Sequence, residues 1–185
     1  LKETKALQEG HFILSSGLHS KQYIQCAKLL SQPSKAVKIC ASLCKKIKDK
    51  FKSVDIILSP AIGGIVIGYE VGRQLNKETI FAERQNGQLI LRRGFAINKN
   101  ANVLIVEDVI TTGKSVLECL NIIKEHKANL IGYACLIDRS NEDCSIKNQI
   151  ISQLKFSIQT FEENRLPEDL KLITATKPGS RSSIK

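Results

Sequence analysis

Val103-Leu104-Ile105-Val106-Glu107-Asp108-Val109-Ile110-Thr111-Thr112-Gly113-Lys114-Ser115 is the stretch on which the fold turns. Its first four residues are apolar on both faces, which marks a strand buried from both sides in a parallel sheet. Two carboxylates follow, and a Thr-Thr-Gly-Lys-Ser turn opens a segment with helical spacing from Ser115 to Lys127. In an open α/β sheet the ligand sits beyond the carboxyl ends of the strands, so residues just after a strand carry the chemistry. The first N–H groups of a helix and its positive dipole end suit a phosphate, and adjacent acids can accept hydrogen bonds from vicinal hydroxyls. The pairing points to a sugar phosphate. Gly113-Lys114-Ser115 ends like a P-loop, but Asp108 stands where that motif needs its first glycine. A lone acidic pair could merely cap a helix; joined to the turn it reads as a site.

Working outward, the same alternation recurs. Ala36, Cys40, Leu43, Ile47 and Phe51 recur at spacings of four and three after Pro33, predicting a helix over 33–51. Val54 to Ser59 reads as a buried strand, followed by Pro60, Gly63-Gly64 and helical spacing from Ile65 to Leu75. Thr79 to Ala82, Leu130 to Ile137 and Leu154 to Phe161 read as further strands. Strands alternating with helices predict an α/β fold: a central parallel sheet with helices on both faces. Two stretches fall outside the pattern. Residues 84–98 read as a polar turn plus an antiparallel ribbon, too long for a simple connection and expected to act as a mobile lid. The Gly- and Ser-rich segment Gly10 to Ser20 reads as part of a small hood contributed by about residues 1–30, packed with the chain's end over a sheet edge. One domain spanning 1–185 is expected.

Composition bounds the function. The chain has 185 residues, 42% apolar and 25% charged, ordinary for one globular domain, and no run approaches a membrane span. It opens on Leu1 and has no methionine, so a few residues are expected to precede it. Lys+Arg outnumber Asp+Glu 28 to 18, a net charge of +10. The lysines are scattered, and only the tail from Lys171, with Lys177, Arg181 and Lys185, is one-signed. That pattern favours a polyanionic small substrate over nucleic acid. The six cysteines form no CxxC pair and several sit in apolar runs, the usage of a reduced, cytoplasmic protein. Cys40 and Cys44 share a helix face but read as core. His11 and His19 read as loop-fixing groups and His126 as a dipole partner at a helix end.

The segment 103–115 resembles the phosphoribosyl pyrophosphate (PRPP) signature of type I phosphoribosyltransferases. Gly10-His11-Phe12-Ile13-Leu14-Ser15-Ser16-Gly17-Leu18-His19-Ser20 with Tyr23, the Ser59-Pro60-Ala61-Ile62-Gly63-Gly64 loop, and Leu136-Ile137-Asp138-Arg139 are similar to the orotate phosphoribosyltransferase family, as are Ala82-Glu83-Arg84, Leu91-Arg92-Arg93-Gly94-Phe95 and Lys177-Pro178-Gly179-Ser180-Arg181. The resemblance implies transfer of ribose 5-phosphate from PRPP to orotate. It implies that Glu107 and Asp108 hold the ribose hydroxyls and that Val109, Ile110, Thr111, Thr112, Gly113, Lys114 and Ser115 wrap the 5-phosphate. Arg84, with Arg92 and Arg93, would reach the pyrophosphate, and Thr111 and Arg139 the orotate, whose carboxylate suits a bidentate guanidinium. It further implies Mg2+ carried by PRPP with no direct protein ligand, and a homodimer whose ribbon covers the neighbour's site. This chain has Ser15 and Gly63 where better-known members carry lysines, so the group assisting the leaving pyrophosphate stays open among Gln85, Arg92 and Arg93. A purine phosphoribosyltransferase or a PRPP-binding regulator would share the turn. The 59–64 loop, which must aim successive N–H groups at pyrophosphate, is expected to carry a non-proline cis peptide near Ala61-Ile62.

Overall fold

A computed structural model describes residues 1–14, 16–142 and 144–178. Ser15 and the Gly179-Ser180-Arg181 part of the C-terminal resemblance lie outside the described residues. In chain order the elements are β1 (Leu7–Ile13), β2 (His19–Ile24), α1 (Cys26–Leu30), α2 (Pro33–Lys50), β3 (Ile56–Pro60), α3 (Gly63–Leu75), β4 (Glu78–Gln85), β5 (Gln88–Leu91), β6 (Asn102–Ile110), α4 (Lys114–Glu125), β7 (Asn129–Asp138), β8 (Ile150–Lys155), β9 (Thr160–Phe161) and α5 (Glu168–Lys171). They form two compact units, one from Gln32 to Phe156, the other from Leu1–Ser31 and the chain from Ser157 onward.

The larger unit is built on a six-stranded sheet ordered β5-β4-β3-β6-β7-β8. Every neighbouring pair is parallel except β4–β5. The doubly apolar strands take the middle: all five residues of β3 are buried, as are Val103 to Val106 of β6. Their side chains alternate between two layers. Ile56, Leu58, Ile80, Val103, Ile105, Tyr133 and Cys135 pack with Val116, Cys119, Ile122 and Ile123 of α4, while α2 and α3 pack together and onto the sheet. Helix α2 starts with Pro33 in its first turn and buries Ala36, Cys40, Leu43, Cys44 and Ile47, the face that the spacing predicts. His126 caps α4, its Nδ1–H donating to the Ile122 carbonyl at 2.9 Å.

One element differs from the sequence reading, and another matches it. The strand expected over 154–161 is two strands: β8 runs alongside β7, and Thr160–Phe161 pairs with β2 in the other unit's three-stranded sheet. The alternating run Leu154-Phe156-Ile158 is compatible with one extended strand, so only tertiary pairing reveals the break. The ribbon begins as an extension of β4, turning through Asn86-Gly87, both at positive φ, into β5. An Asn-Gly pair is the favoured chemistry for such a two-residue hairpin.

In the smaller unit His11 and His19 are buried. His11 Nδ1 lies 2.8 Å from the Ile173 carbonyl and His11 Nε2 lies 2.6 Å from His19 Nδ1. A carbonyl only accepts, so Nδ1 of His11 carries a proton, and when His11 is neutral His19 donates to its Nε2. These histidines tie the N-terminal strands to the chain's end, the loop-fixing role expected of them.

Candidate active site

The sheet register brings the carboxyl ends of β3, β4, β6 and β7 to one edge. Pro60 pairs with Ala82, the Ala61 N–H donates to the Ala82 carbonyl at 2.7 Å, and Leu58 pairs with Ile105. The loop leaving β3 therefore runs beside the acids ending β6. Its Ala61–Ile62 peptide is cis, as the sequence reading expects. A Cβ at Gly63 would fall 2.8 Å from Asp108 Oδ1, so any side chain there would require that carboxylate to shift, and glycine lets α3 begin directly against it.

Adjacent residues of a strand face opposite ways, and the acidic pair divides accordingly. Asp108 faces Gly63. Its Oδ1 accepts the Val109 N–H at 2.9 Å, and burial, stronger than that hydrogen bond, holds its pKa above the ordinary carboxylate value. Glu107 follows Val103 and Ile105 on the α4 face. There burial pushes the Cys119 thiol up, with Glu107 and then Glu118 adding to the shift and Arg84 opposing it, so these charges share one corner.

The turn after β6 leaves Thr111, Thr112 and Lys114 exposed and Ile110 buried in the core. Ile110 can offer a ligand only backbone, and its carbonyl already accepts the Arg139 N–H at 2.8 Å. That bond places Arg139, at the end of β7, beside Thr111. Gly113 adopts a left-handed conformation, φ 77°, and a Cβ there would press on Cys144 Sγ and Ile146 at 3.3 Å. Helix α4 then begins with no acid in its first turn and no side-chain cap, and with Lys114 at its start. A cation at the positive end of a helix is unfavourable. Here the Lys114 N–H donates to Thr112 Oγ1 at 3.4 Å, which leaves the following N–H groups to suit an anion.

The ribbon's arginines behave differently from one another. Arg93 donates from Nε and Nη2 to both oxygens of Glu83 at 2.9 and 2.8 Å and lies over Phe81, which packs edge-on against Phe95. Arg84 is held through Nη1 alone, by the Gly87 carbonyl and by Glu118 Oε2 at 2.9 Å. β5 ends at Leu91, and Arg92 and Arg93 lie in the turn that follows, with Arg93 at φ 58°. Glu83 draws Arg93 back along β4, which the local pattern could not show. Arg92 is exposed and forms no ion pair among the described residues.

Residues 28–164 match the phosphoribosyl transferase domain family. The chain is 45% identical over 180 residues to the orotate phosphoribosyltransferase of Caldicellulosiruptor bescii, covering 97% of this chain and 94% of that protein. The chain belongs to the orotate phosphoribosyltransferase family. Its relative from Caldicellulosiruptor saccharolyticus is likewise 45% identical, over 97% of this chain and 93% of its own length. Among solved structures, orotate phosphoribosyltransferase from Aeropyrum pernix superposes with a TM-score of 0.74 at 21% identity, over 84% of this chain and 91% of that one. Adenine phosphoribosyltransferase from Thermoanaerobacter pseudethanolicus does so at 0.63 and 15%, over 73% and 88%. At these identities both show the fold, which orotate and adenine enzymes share.

Sequence reasoning gave no role to Glu118, to Cys144 and Ile146, or to Glu83, which it quoted only within Ala82-Glu83-Arg84. Cys144 and Ile146 brace Gly113 from a segment thirty residues on, and both acids are recognisable only through their arginines. No local signal singles them out.

Proposed function

We propose that this member of the orotate phosphoribosyltransferase family transfers the 5-phosphoribosyl group of PRPP to a ring nitrogen of orotate, giving orotidine 5'-phosphate and pyrophosphate in pyrimidine biosynthesis. The observation that carries this reading is the uncapped, lysine-bearing start of α4 beside the divided acidic pair. The N–H groups of 111–115 bind the 5-phosphate, and Glu107 and Asp108 accept hydrogen bonds from the ribose hydroxyls. Arg139 faces the orotate carboxylate. The bond from the anomeric carbon to pyrophosphate breaks as the bond to nitrogen forms, through a cation-like centre, so the protein mainly orients two anions and stabilises the charge that develops.

Mg2+ fits this donor set: the carboxylates of Glu107 and Asp108 set hard oxygens at the site, and the ion would arrive with the phosphate oxygens of PRPP. When bound it neutralises the departing pyrophosphate. We read the working form as a homodimer in which Arg92 reaches the neighbour's pyrophosphate. Ile62, Val66 and Tyr69, all exposed and spaced along α3 from the pyrophosphate loop, form the apolar face that a second copy covers. The six free, buried cysteines suit a cytoplasmic protein, and no described helix is long and apolar enough to cross a membrane. The charge surplus is assigned to these anionic substrates and not to nucleic acid.

Mixing the protein with PRPP, Mg2+ and orotate and following loss of orotate absorbance tests the assignment. Turnover with adenine or hypoxanthine but not orotate would replace it with a purine transferase.

A further inference from the structure

Arg84 and Arg93 lie on the same hairpin, yet their guanidinium groups are used in opposite ways. The side-on edge of a guanidinium, Nε with Nη2, is the fork that grips a carboxylate or phosphate with two parallel hydrogen bonds. Glu83 fills that fork in Arg93. In Arg84 only Nη1 is engaged, by the Gly87 carbonyl and Glu118, and the Nε–Nη2 edge makes no hydrogen bond among the described residues. The Glu118 atom concerned, Oε2, is buried and accepts no hydrogen bond, so Arg84 is its counter-charge.

This asymmetry decides what happens when an anion arrives. Swinging Arg84 away would leave the buried Oε2 of Glu118 without its cation, and a buried polar atom left without a partner is unfavourable. Keeping the pair leaves the open fork free at no such cost. Glu118 sits one turn into α4, four residues after Lys114 at the phosphate turn, so the helix ties the arginine to the turn.

Resting on the phosphoribosyl-transfer reading, we propose that Glu118 is a positioning residue: it holds Arg84 by Nη1 so that the open Nε–Nη2 edge meets the pyrophosphate end of the substrate, and the pair stays intact when the anion binds. Arg84 is thus the residue that grips the pyrophosphate of its own chain's site, while Glu118 touches no substrate.

The test is calorimetric titration of the full chain with magnesium pyrophosphate, alongside KM for PRPP and for orotate. Charge alone would make Glu118→Gln bind an anion more tightly, since an acid has gone. The positioning role demands the reverse: about tenfold weaker pyrophosphate binding and a similar rise in KM for PRPP, with KM for orotate unchanged. Glu118→Asp should fall between, and Arg84→Lys, which keeps the charge but lacks the fork, should bind pyrophosphate about as weakly as Arg84→Ala. In an Arg84→Ala background Glu118→Gln should change nothing further. A Glu118→Gln protein that binds pyrophosphate as tightly as the parent, or a loss that persists without Arg84, would overturn the proposal, as would a parent protein that binds no pyrophosphate. Pyrophosphate binding with this coupling intact but no turnover of orotate would count against the substrate assignment alone and leave the Arg84–Glu118 pair standing.

Discussion

The strand end at 107–115 and the hairpin at 84–95 both bring charge to one edge of the sheet, by different means. At 107–115 the groups that matter are held by backbone: a buried strand ends, Gly113 turns left-handed, and the N–H groups of α4 emerge without a cap. Along the hairpin the charges ride on long side chains, and what each can do depends on which acid of its own chain has engaged it. A site built on backbone is preorganised by the fold. A site built on side chains is shared out among distant partners.

The largest expected effect tests the backbone-built region. Asp108→Asn should lower turnover by about 10² to 10³-fold, the scale seen when a preorganised polar partner of the transition state is removed. It should not destabilise the fold. Asp108 has a raised pKa from burial, so the folded state holds its proton more tightly than the unfolded chain, and stability is lost as pH rises from the model-peptide value of 3.8 through the folded value. The asparagine protein should match the parent in melting temperature in acid and equal or exceed it at neutral pH. A protein several degrees less stable with normal activity would reassign Asp108 to helix capping.

Next in size, Arg139→Ala should weaken orotate binding by about 2 to 4 kcal/mol through loss of a charge-assisted contact, with PRPP binding nearly intact. Equal weakening of both ligands in a titration would remove Arg139 from the base pocket. The far arm of the hairpin gives a quarter or nothing: if residues 88–95 act in trans, mixing inactive Asp108→Asn with an inactive variant of 88–95 that keeps Arg84 should restore about a quarter of the activity, because half the reassorted dimers are mixed and each has one whole site. No recovery despite verified subunit exchange would mean that each chain closes its own site. The smallest effect is expected at Arg93. Its pair with Glu83 is screened by solvent and should contribute little to stability, and Arg93→Ala should change KM for PRPP less than threefold, while Arg92→Ala raises it about tenfold. A larger loss at Arg93 than at Arg92 would show that the Glu83 pair opens on binding.

The alternation of doubly apolar strands with amphipathic helices, the acidic pair and the phosphate turn were legible in the sequence because each is a local pattern whose physics is complete within about a dozen residues. The apolar face of α2 and the polar turn that opens the ribbon belong to the same class, whereas the cis peptide in the 59–64 loop was expected from what that loop must bind. Register, pairing and charge partners were decided elsewhere. Whether 154–161 is one strand or two depends on strands more than a hundred residues away. How closely Gly63 approaches a carboxylate depends on Asp108, forty-five residues on, and that Arg84 keeps an open fork while Arg93 does not depends on Glu118 and Glu83. An ion pair or a close approach has no periodicity to leave in the chain. Its energy depends on a distance in space, and only the folded sheet sets that distance.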